Sequence, residues 1–186
     1  MNNAGVHFDV IVIGGGAMGL AAAYHLSKRK TRTLVLEQFS FFNQLGSSAG
    51  VSRQFRLPYP EEYMVKMVKA AVPFWEELQS ITPAQLMDTV GTLWFGDPSV
   101  HSTEGNIREA EQALKSQNVP YTVLSATEIE KQYFFRNLPG TYTGLFQPDG
   151  ASINLRATLQ TLYDWNVASP LVTVKDQAPV IGITPK

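Results

Sequence analysis

Residues 8–19 read FDVIVIGGGAMG, and this stretch decides the fold. Its first six residues are mostly apolar and β-branched, which is typical of a strand buried on both faces of a parallel sheet. The alanine-rich residues 20–26 then indicate a helix that ends near Lys30. Residues 33–37, TLVLE, read as a second apolar strand that ends in an acid. Together these segments predict one βαβ unit of about 30 residues.

The glycines between the first strand and the helix form a dinucleotide-binding fingerprint. Gly14 permits the tight turn, Gly16 lets the backbone approach a pyrophosphate, and Gly19 lets the helix pack closely on the strand. Glu37 follows Gly19 by 18 residues, and its carboxylate can accept hydrogen bonds from a ribose diol while disfavouring a 2′-phosphate. The pattern predicts a dinucleotide with an ADP half and argues against NADP. The unit alone leaves FAD, NAD and a glycine turn without ligand open.

Composition excludes several classes of protein. The chain has 186 residues, 44% of them hydrophobic, which fits one medium domain or most of two small ones. Its net charge of −1 argues against a nucleic-acid partner, and the lack of cysteine excludes disulfide, thiolate and iron–sulfur chemistry. It has no apolar run of about 20 residues and no signal-peptide pattern. We therefore predict a soluble cytoplasmic protein with no membrane span.

The rest of the chain alternates strands and helices. A helix is predicted over 61–78, where Pro73 indicates a kink or a split into two helices. Ser125 and Glu128 have the spacing of a capping box. Strands are predicted at 91–95, 121–124, 143–146, 171–174 and 180–183, and further helices at 104–116, after Ser125, and at 155–165. Because the last strand stands three residues before the end, we expect strands to be missing and the chain to be part of a larger protein.

Arg53 and Arg56 follow a loop of small residues, 46–50, that could run against a cofactor. Arginine suits carboxylates and flat conjugated rings, but spacing alone favours two surface arginines, and the pair could also bind phosphate. Aromatic residues such as Tyr59 and Trp94 are interpreted as core, with an amine cage as the alternative. The three histidines have no partner at metal-ligand spacing, so no metal site is predicted.

These motifs resemble a known family. The resemblance rests on residues 7–19, 34–37, 46–48 with Arg53 and Arg56, 90–96 and 145–150, in that order. They are similar to the monomeric sarcosine oxidase and N-methyltryptophan oxidase family, within the D-amino-acid-oxidase-like flavoproteins. The resemblance runs along nearly the whole chain, which corresponds to roughly the N-terminal half of a member.

The resemblance implies a fold class and a domain arrangement. The fold is expected to be α/β, with a Rossmann-like FAD-binding βαβ unit plus the start of an α+β substrate domain, incomplete without a C-terminal half. Residues 1–80 would begin the FAD-binding domain, 81–150 would belong to the substrate domain, and 151–186 would return to the FAD-binding domain.

The resemblance also implies a cofactor, FAD, and roles for single residues. It assigns the pyrophosphate to Gly14, Gly16, Ala17, Met18 and Gly19, the ribose region to Glu37 and Gln38, the flavin to Ser47, Ser48 and Arg53, and catalysis to Arg53 and Arg56. Arg56 matches the arginine that pairs with the substrate carboxylate. The implied reaction oxidises an amine of a small amino acid, after which the imine is hydrolysed and O2 is reduced to hydrogen peroxide.

Two departures from the family separate this chain from sarcosine oxidase itself. Ala49 stands where that enzyme has an active-site histidine, which implies another substrate. Family members attach FAD through a cysteine in the C-terminal half, and this chain has none. The expected partner is that C-terminal half, as a separate chain, a cleaved product or a lost segment. The alternatives are a non-catalytic or ADP-binding remnant and an NAD-dependent dehydrogenase domain.

Overall fold

A computed structural model describes residues 7–102 and 105–184 of the chain. They divide into two compact units: the described residues of Met1–Ser52 with those of Asn154–Lys186, and those of Arg53–Ile153. The chain thus leaves the first unit after Ser52 and returns to it at Asn154. The assignment of residues 1–80, 81–150 and 151–186 to domains stays a prediction.

The described residues contain nine strands and five helices. In chain order they are β1 (Val10–Ile13), α1 (Ala17–Lys28), β2 (Thr33–Leu36), β3 (Ser52–Phe55), α2 (Glu62–Ser80), β4 (Met87–Thr89), β5 (Thr92–Gly96), α3 (Ile107–Ser116), β6 (Thr122–Ser125), α4 (Ala126–Gln132), β7 (Thr143–Gln147), β8 (Ala151–Asn154), α5 (Leu155–Ala168) and β9 (Val172–Lys175). The helix predicted from 104 begins at Ile107, and Glu104 lies outside the described residues.

The first unit is a parallel sheet of order β1-β2-β9 with α1 and α5 packed together. Val35 of β2 is fully buried between its neighbours and packs with Ala23 of α1. The buried Asn166 of α5 donates its side-chain N–H to the Leu20 carbonyl of α1, at 2.9 Å. The predicted Rossmann-like βαβ unit, β1-α1-β2, is confirmed.

The other face of this sheet differs from the prediction. Ile11 and Ile13 of β1 are 57% and 54% exposed, although a strand buried on both faces was expected. The α1 helix packs on the face that carries Val12, and the described residues do not bury the opposite side chains. The apolar run predicted the strand β1 correctly. Burial of both faces of the strand depends on a second packing layer, which a local sequence pattern does not encode.

The second unit contains two further sheets, of order β3-β8-β4 and β5-β7-β6. Strands β5 and β6 both pair antiparallel with β7, where Leu145 lies opposite Trp94 and Val123. Leu145 is fully buried in a core formed with Val65 of α2 and Leu114 of α3. This mixed helical and antiparallel unit completes the α/β class that the sequence predicted.

Two predicted elements need correction. Helix α2 runs unbroken from Glu62 to Ser80 through Pro73, so the predicted alternative of two helices is wrong. Burial of Val65 and Leu78 on either side of the proline keeps one helix despite the lost hydrogen bond. Residues 180–183 form no strand, and Ile181 is 99% exposed. A β-branched run becomes a strand only where a neighbouring edge takes its backbone groups, and the described residues offer none there.

None of the helices within residues 7–102 and 105–184 combines the length and the apolar character that a membrane crossing requires.

The predicted capping box at the start of α4 is confirmed. The Ser125 backbone N–H and hydroxyl both donate to the Glu128 carboxylate at 2.7 Å, and the Glu128 backbone N–H donates to Ser125 Oγ at 3.3 Å. The hydrogen bond from the Ser125 backbone N–H, followed by that from its hydroxyl, holds the pKa of Glu128 below its usual range. The box therefore closes one end of a helix only seven residues long.

This lowered pKa predicts a pH-dependent stability. A carboxyl whose pKa is lower in the folded chain contributes stability above its unfolded pKa and loses it as the pH falls through the folded pKa. We expect Glu128→Gln to lower the melting temperature of the second unit at about pH 7 and to have a smaller effect at about pH 3. Circular dichroism melts of both proteins across this range measure the difference. A difference that is the same at both ends contradicts the assignment.

Candidate functional site

The turn between β1 and α1 has the backbone conformation that the fingerprint predicted. Gly14 has a φ of +105°, in the left-handed region that favours glycine, and its N–H donates to the Leu36 carbonyl at 2.8 Å. A side chain at Gly19 would collide with the Gly14 carbonyl oxygen. The first turn of α1 therefore lies directly against the end of β1, as close packing at the third glycine requires.

The loop after β2 packs onto the same turn. The Ala17 N–H, at the start of α1, donates to Ser48 Oγ at 2.9 Å. A Cβ placed on Gly16 would lie 2.9 Å from that oxygen, and one placed on Gly15 would overlap the ring of Phe41. The glycines thus allow a close approach of the loop as well as of a ligand.

Glu37 links the glycine turn to the loop. Its side chain is only 8% exposed, and its Oε2 accepts the Gly15 N–H at 2.7 Å. Its Oε1 accepts the Phe39 N–H at 2.9 Å and the Asn43 side-chain N–H at 3.4 Å. An ionised carboxylate has about four acceptor positions, so these three contacts leave capacity for a hydroxyl of a ligand.

These residues surround a cleft of about 170 Å³ at the carboxyl ends of β1 and β2, where open α/β sheets bind ligands. The walls of the cleft are Gly15, Gly16, Glu37, Gln38, Phe39, Phe42, Asn43, Leu45, Gly46, Ser47, Ser48 and Leu159. The structure thus brings together five of the predicted cofactor residues: Gly16, Glu37, Gln38, Ser47 and Ser48. Gly14, Ala17, Met18 and Gly19 build the adjoining turn and helix instead.

The sequence did not single out part of this wall. Phe39 and Phe42 are 41% and 37% exposed, and Asn43 holds the Glu37 carboxylate. They lie in an irregular loop whose path depends on tertiary contacts, so no periodic pattern signals them.

The cleft suits the ADP half of a dinucleotide. The N-terminus of α1 favours a negative charge such as a pyrophosphate. Glu37 offers an acceptor to ribose hydroxyls, and the exposed rings of Phe39 and Phe42 offer flat apolar surface to a base. Within residues 7–102 and 105–184, no group of three histidine, aspartate or glutamate side chains is placed to hold a metal ion.

The two predicted catalytic arginines belong to the second unit. Arg53 lies on β3 and is exposed, whereas Arg56 follows the strand and is half-buried. The Arg56 guanidinium carbon lies 4.6 Å from the centre of the Tyr59 ring and 6.0 Å from that of Trp94. Beside it is a recess of about 140 Å³, lined by Gln54, Arg56, Pro58, Thr92, Leu93 and Trp94.

Comparison with known families shows which family the chain belongs to. The model of the family described as FAD dependent oxidoreductase matches residues 9–186. The chain belongs to this family. The predicted cofactor, FAD, is thereby confirmed at the level of the family, while the roles of single residues stay predictions.

Relatives within the FAD dependent oxidoreductase family confirm the predicted resemblance. Human peroxisomal sarcosine oxidase is 31% identical over 178 residues, covering 96% of this chain and 44% of the relative. Monomeric sarcosine oxidase from a Bacillus species is 34% identical over 145 residues, covering 77% of this chain and 36% of the relative. The chain therefore spans less than half the length of these relatives.

A solved structure of similar sequence agrees with the fold. NikD, an amino acid oxidase of nikkomycin biosynthesis, matches in its open form with a TM-score of 0.83 and 38% sequence identity. The match covers 91% of this chain and 43% of NikD. This similarity confirms the α/β fold class.

Proposed function

We propose that the protein is an FAD-dependent oxidase of an amino acid or N-methyl amino acid, and that it acts together with a C-terminal half on the same or a separate chain. The observation that carries the proposal is the buried Glu37 carboxylate beside the glycine turn, in a family of FAD dependent oxidoreductases. The names of its relatives, sarcosine oxidases and an amino acid oxidase, support an amine of an amino acid as the substrate.

The first unit would hold the ADP half of FAD. The pyrophosphate would lie at the turn of Gly14, Gly16, Ala17, Met18 and Gly19, the ribose at Glu37 and Gln38, and the flavin side at Ser47 and Ser48. Ser48 already accepts the Ala17 N–H, so its hydroxyl proton is available to donate toward a phosphate or flavin oxygen. In the second unit, Arg53 would contact the flavin.

When bound, FAD would supply a two-electron oxidation of the carbon next to the substrate nitrogen, with O2 as the final electron acceptor and hydrogen peroxide as its product. The chain's own residues orient the substrate for that step. A guanidinium presents N–H donors in a plane that matches the two oxygens of a carboxylate. We infer that Arg56 binds the substrate carboxylate.

Replacing Arg56 tests this role. We expect Arg56→Ala to raise the KM for an amino acid substrate by about tenfold or more, because charge-assisted hydrogen bonds are worth about 1.5–3 kcal/mol. The same change should leave the KM for the matching amine without a carboxylate nearly unaltered. Oxygen-consumption kinetics of the full-length, FAD-loaded protein measure both constants. Arg108→Ala, on the exposed face of α3 in the same unit, is the matched control.

An amino acid KM that is the same for Arg56→Ala and wild type overturns the assignment of Arg56.

The oxidase activity itself is tested by detecting peroxide with a panel of amino acids and N-methyl amino acids. We expect turnover with at least one secondary or primary amino acid and, given Ala49, poor turnover of sarcosine.

A cytoplasmic location stays a prediction from the sequence, and the human relative is named for the peroxisome.

A further inference from the structure

Two aromatic rings hold the guanidinium of Arg56. Its central carbon is 4.6 Å from the centre of the Tyr59 ring and 6.0 Å from the centre of the Trp94 ring. Both distances lie within the range in which the negative face of an aromatic ring attracts a cation. The two aromatic side chains therefore contribute to the orientation of the arginine within the second unit.

Both rings are themselves fixed to the core. Tyr59 packs partly buried against the second unit's core and follows two buried residues, Leu57 and Pro58. Trp94 also packs on that core, and its strand β5 is paired with β7 opposite Leu145. The positions of the rings are thus set by buried backbone, whereas an arginine side chain alone has many rotamers to lose on binding.

A ring is a suitable holder for an arginine that must bind an anion. A ring attracts the guanidinium cation as a whole and occupies none of its in-plane N–H donors, which are the groups that bind carboxylate oxygens. The recess beside Arg56 also carries the polar side chains of Gln54 and Thr92, joined by a 3.4 Å hydrogen bond.

We propose that Tyr59 and Trp94 are positioning residues that hold Arg56 in the orientation that binds the substrate carboxylate. The proposal rests on the proposed function, since it needs Arg56 to bind that carboxylate. Neither ring has to touch the substrate. Their effect is to lower the entropy that the Arg56 side chain loses when the carboxylate arrives.

Removing the closer ring while keeping the arginine tests the proposal. In the full-length, FAD-loaded protein, we expect Tyr59→Leu to raise the KM for the amino acid about fivefold with a smaller change in kcat. The KM for the amine lacking a carboxylate should not change. Tyr59→Phe keeps the ring and should restore the wild-type KM. Trp94→Leu should act in the same direction but less, because its ring is farther away.

If Tyr59→Leu does not fold, a series of variants that preserve the shape of the ring provides the same test. Tyr59→Phe variants with one, two and three fluorine atoms on the ring weaken its negative face without removing it. We expect the amino acid KM to rise with each fluorine, and the carboxylate-free amine to show no trend. Equal KM values along the series overturn the positioning role.

The Arg56→Ala variant separates this proposal from the proposed function. In the double variant Arg56→Ala/Tyr59→Leu, the ring has no cation to hold, so we expect no further rise in KM beyond that of Arg56→Ala. If Arg56→Ala itself leaves the amino acid KM unchanged, the carboxylate-binding role fails. If Arg56→Ala raises KM but Tyr59→Leu and the fluorinated series do not, only the positioning role fails.

Discussion

Gly19→Ala is expected to destabilise the first unit by about 1–3 kcal/mol and to weaken FAD binding at least a hundredfold. The added Cβ would collide with the Gly14 carbonyl oxygen and come within 3.3 Å of Val12 Cγ1. A backbone oxygen cannot rotate away, so α1 must shift from the end of β1, and the turn opens. Helix propensity alone predicts that Gly19→Ala would stabilise the protein, because alanine is a better helix former than glycine by about 1 kcal/mol.

The measurement is a pair of titrations of the purified full-length protein, one with denaturant and one with FAD. Gly182→Ala is the matched control, because a Cβ at that glycine of the first unit would meet no atom within 4 Å. Gly19→Ala with wild-type stability and wild-type FAD affinity would show that α1 does not pack on the turn as described.

Glu37→Ala is the second change with a large expected effect. It removes the acceptor of the buried Gly15 N–H and of the Phe39 N–H, and an unsatisfied buried donor costs about 1–3 kcal/mol. Because the glycine turn and the loop after β2 both depend on this carboxylate, we expect lower stability together with about a hundredfold loss of FAD affinity.

Glu37→Gln separates the two parts of this effect. A glutamine keeps one acceptor oxygen but presents an amide N–H to the opposite donor, so we expect it to fall between wild type and Glu37→Ala in both measurements. Asp164→Asn, an exposed site on α5 of the same unit, controls for a loss of charge. Glu37→Ala that binds FAD as wild type does would exclude Glu37 from the ribose site.

The sequence predicted the β1-α1-β2 unit because its signals are local. A β-branched run, glycines at 14, 16 and 19, and an acid at the end of the next strand each constrain their own neighbourhood. Strands β3, β4 and β8 escaped prediction because they have no apolar run and carry polar residues such as Arg53 and Asp88. Their pairing partners, not their own pattern, make them strands.

The sequence predicted several residues that line the cleft, but it did not predict their contacts. Spacing placed Glu37 at the end of β2, but its bonds to Gly15, Phe39 and Asn43 depend on the path of an irregular loop. Resemblance to the family likewise identified the residues around Arg56, but it did not predict their contacts. The contact with Trp94, 38 residues further along the chain, requires the fold of the second unit.

The most direct test of the central claim is the equilibrium binding of FAD to the purified full-length protein, with ADP as the competitor. If the cleft at the glycine turn binds the ADP half of FAD, the protein takes up one FAD with a Kd of about 1 µM or lower, and ADP displaces it. If Glu37 holds the ribose, an adenosine carrying a 2′-phosphate should compete poorly, because the carboxylate would repel that phosphate. A protein that binds neither FAD nor ADP would contradict the account.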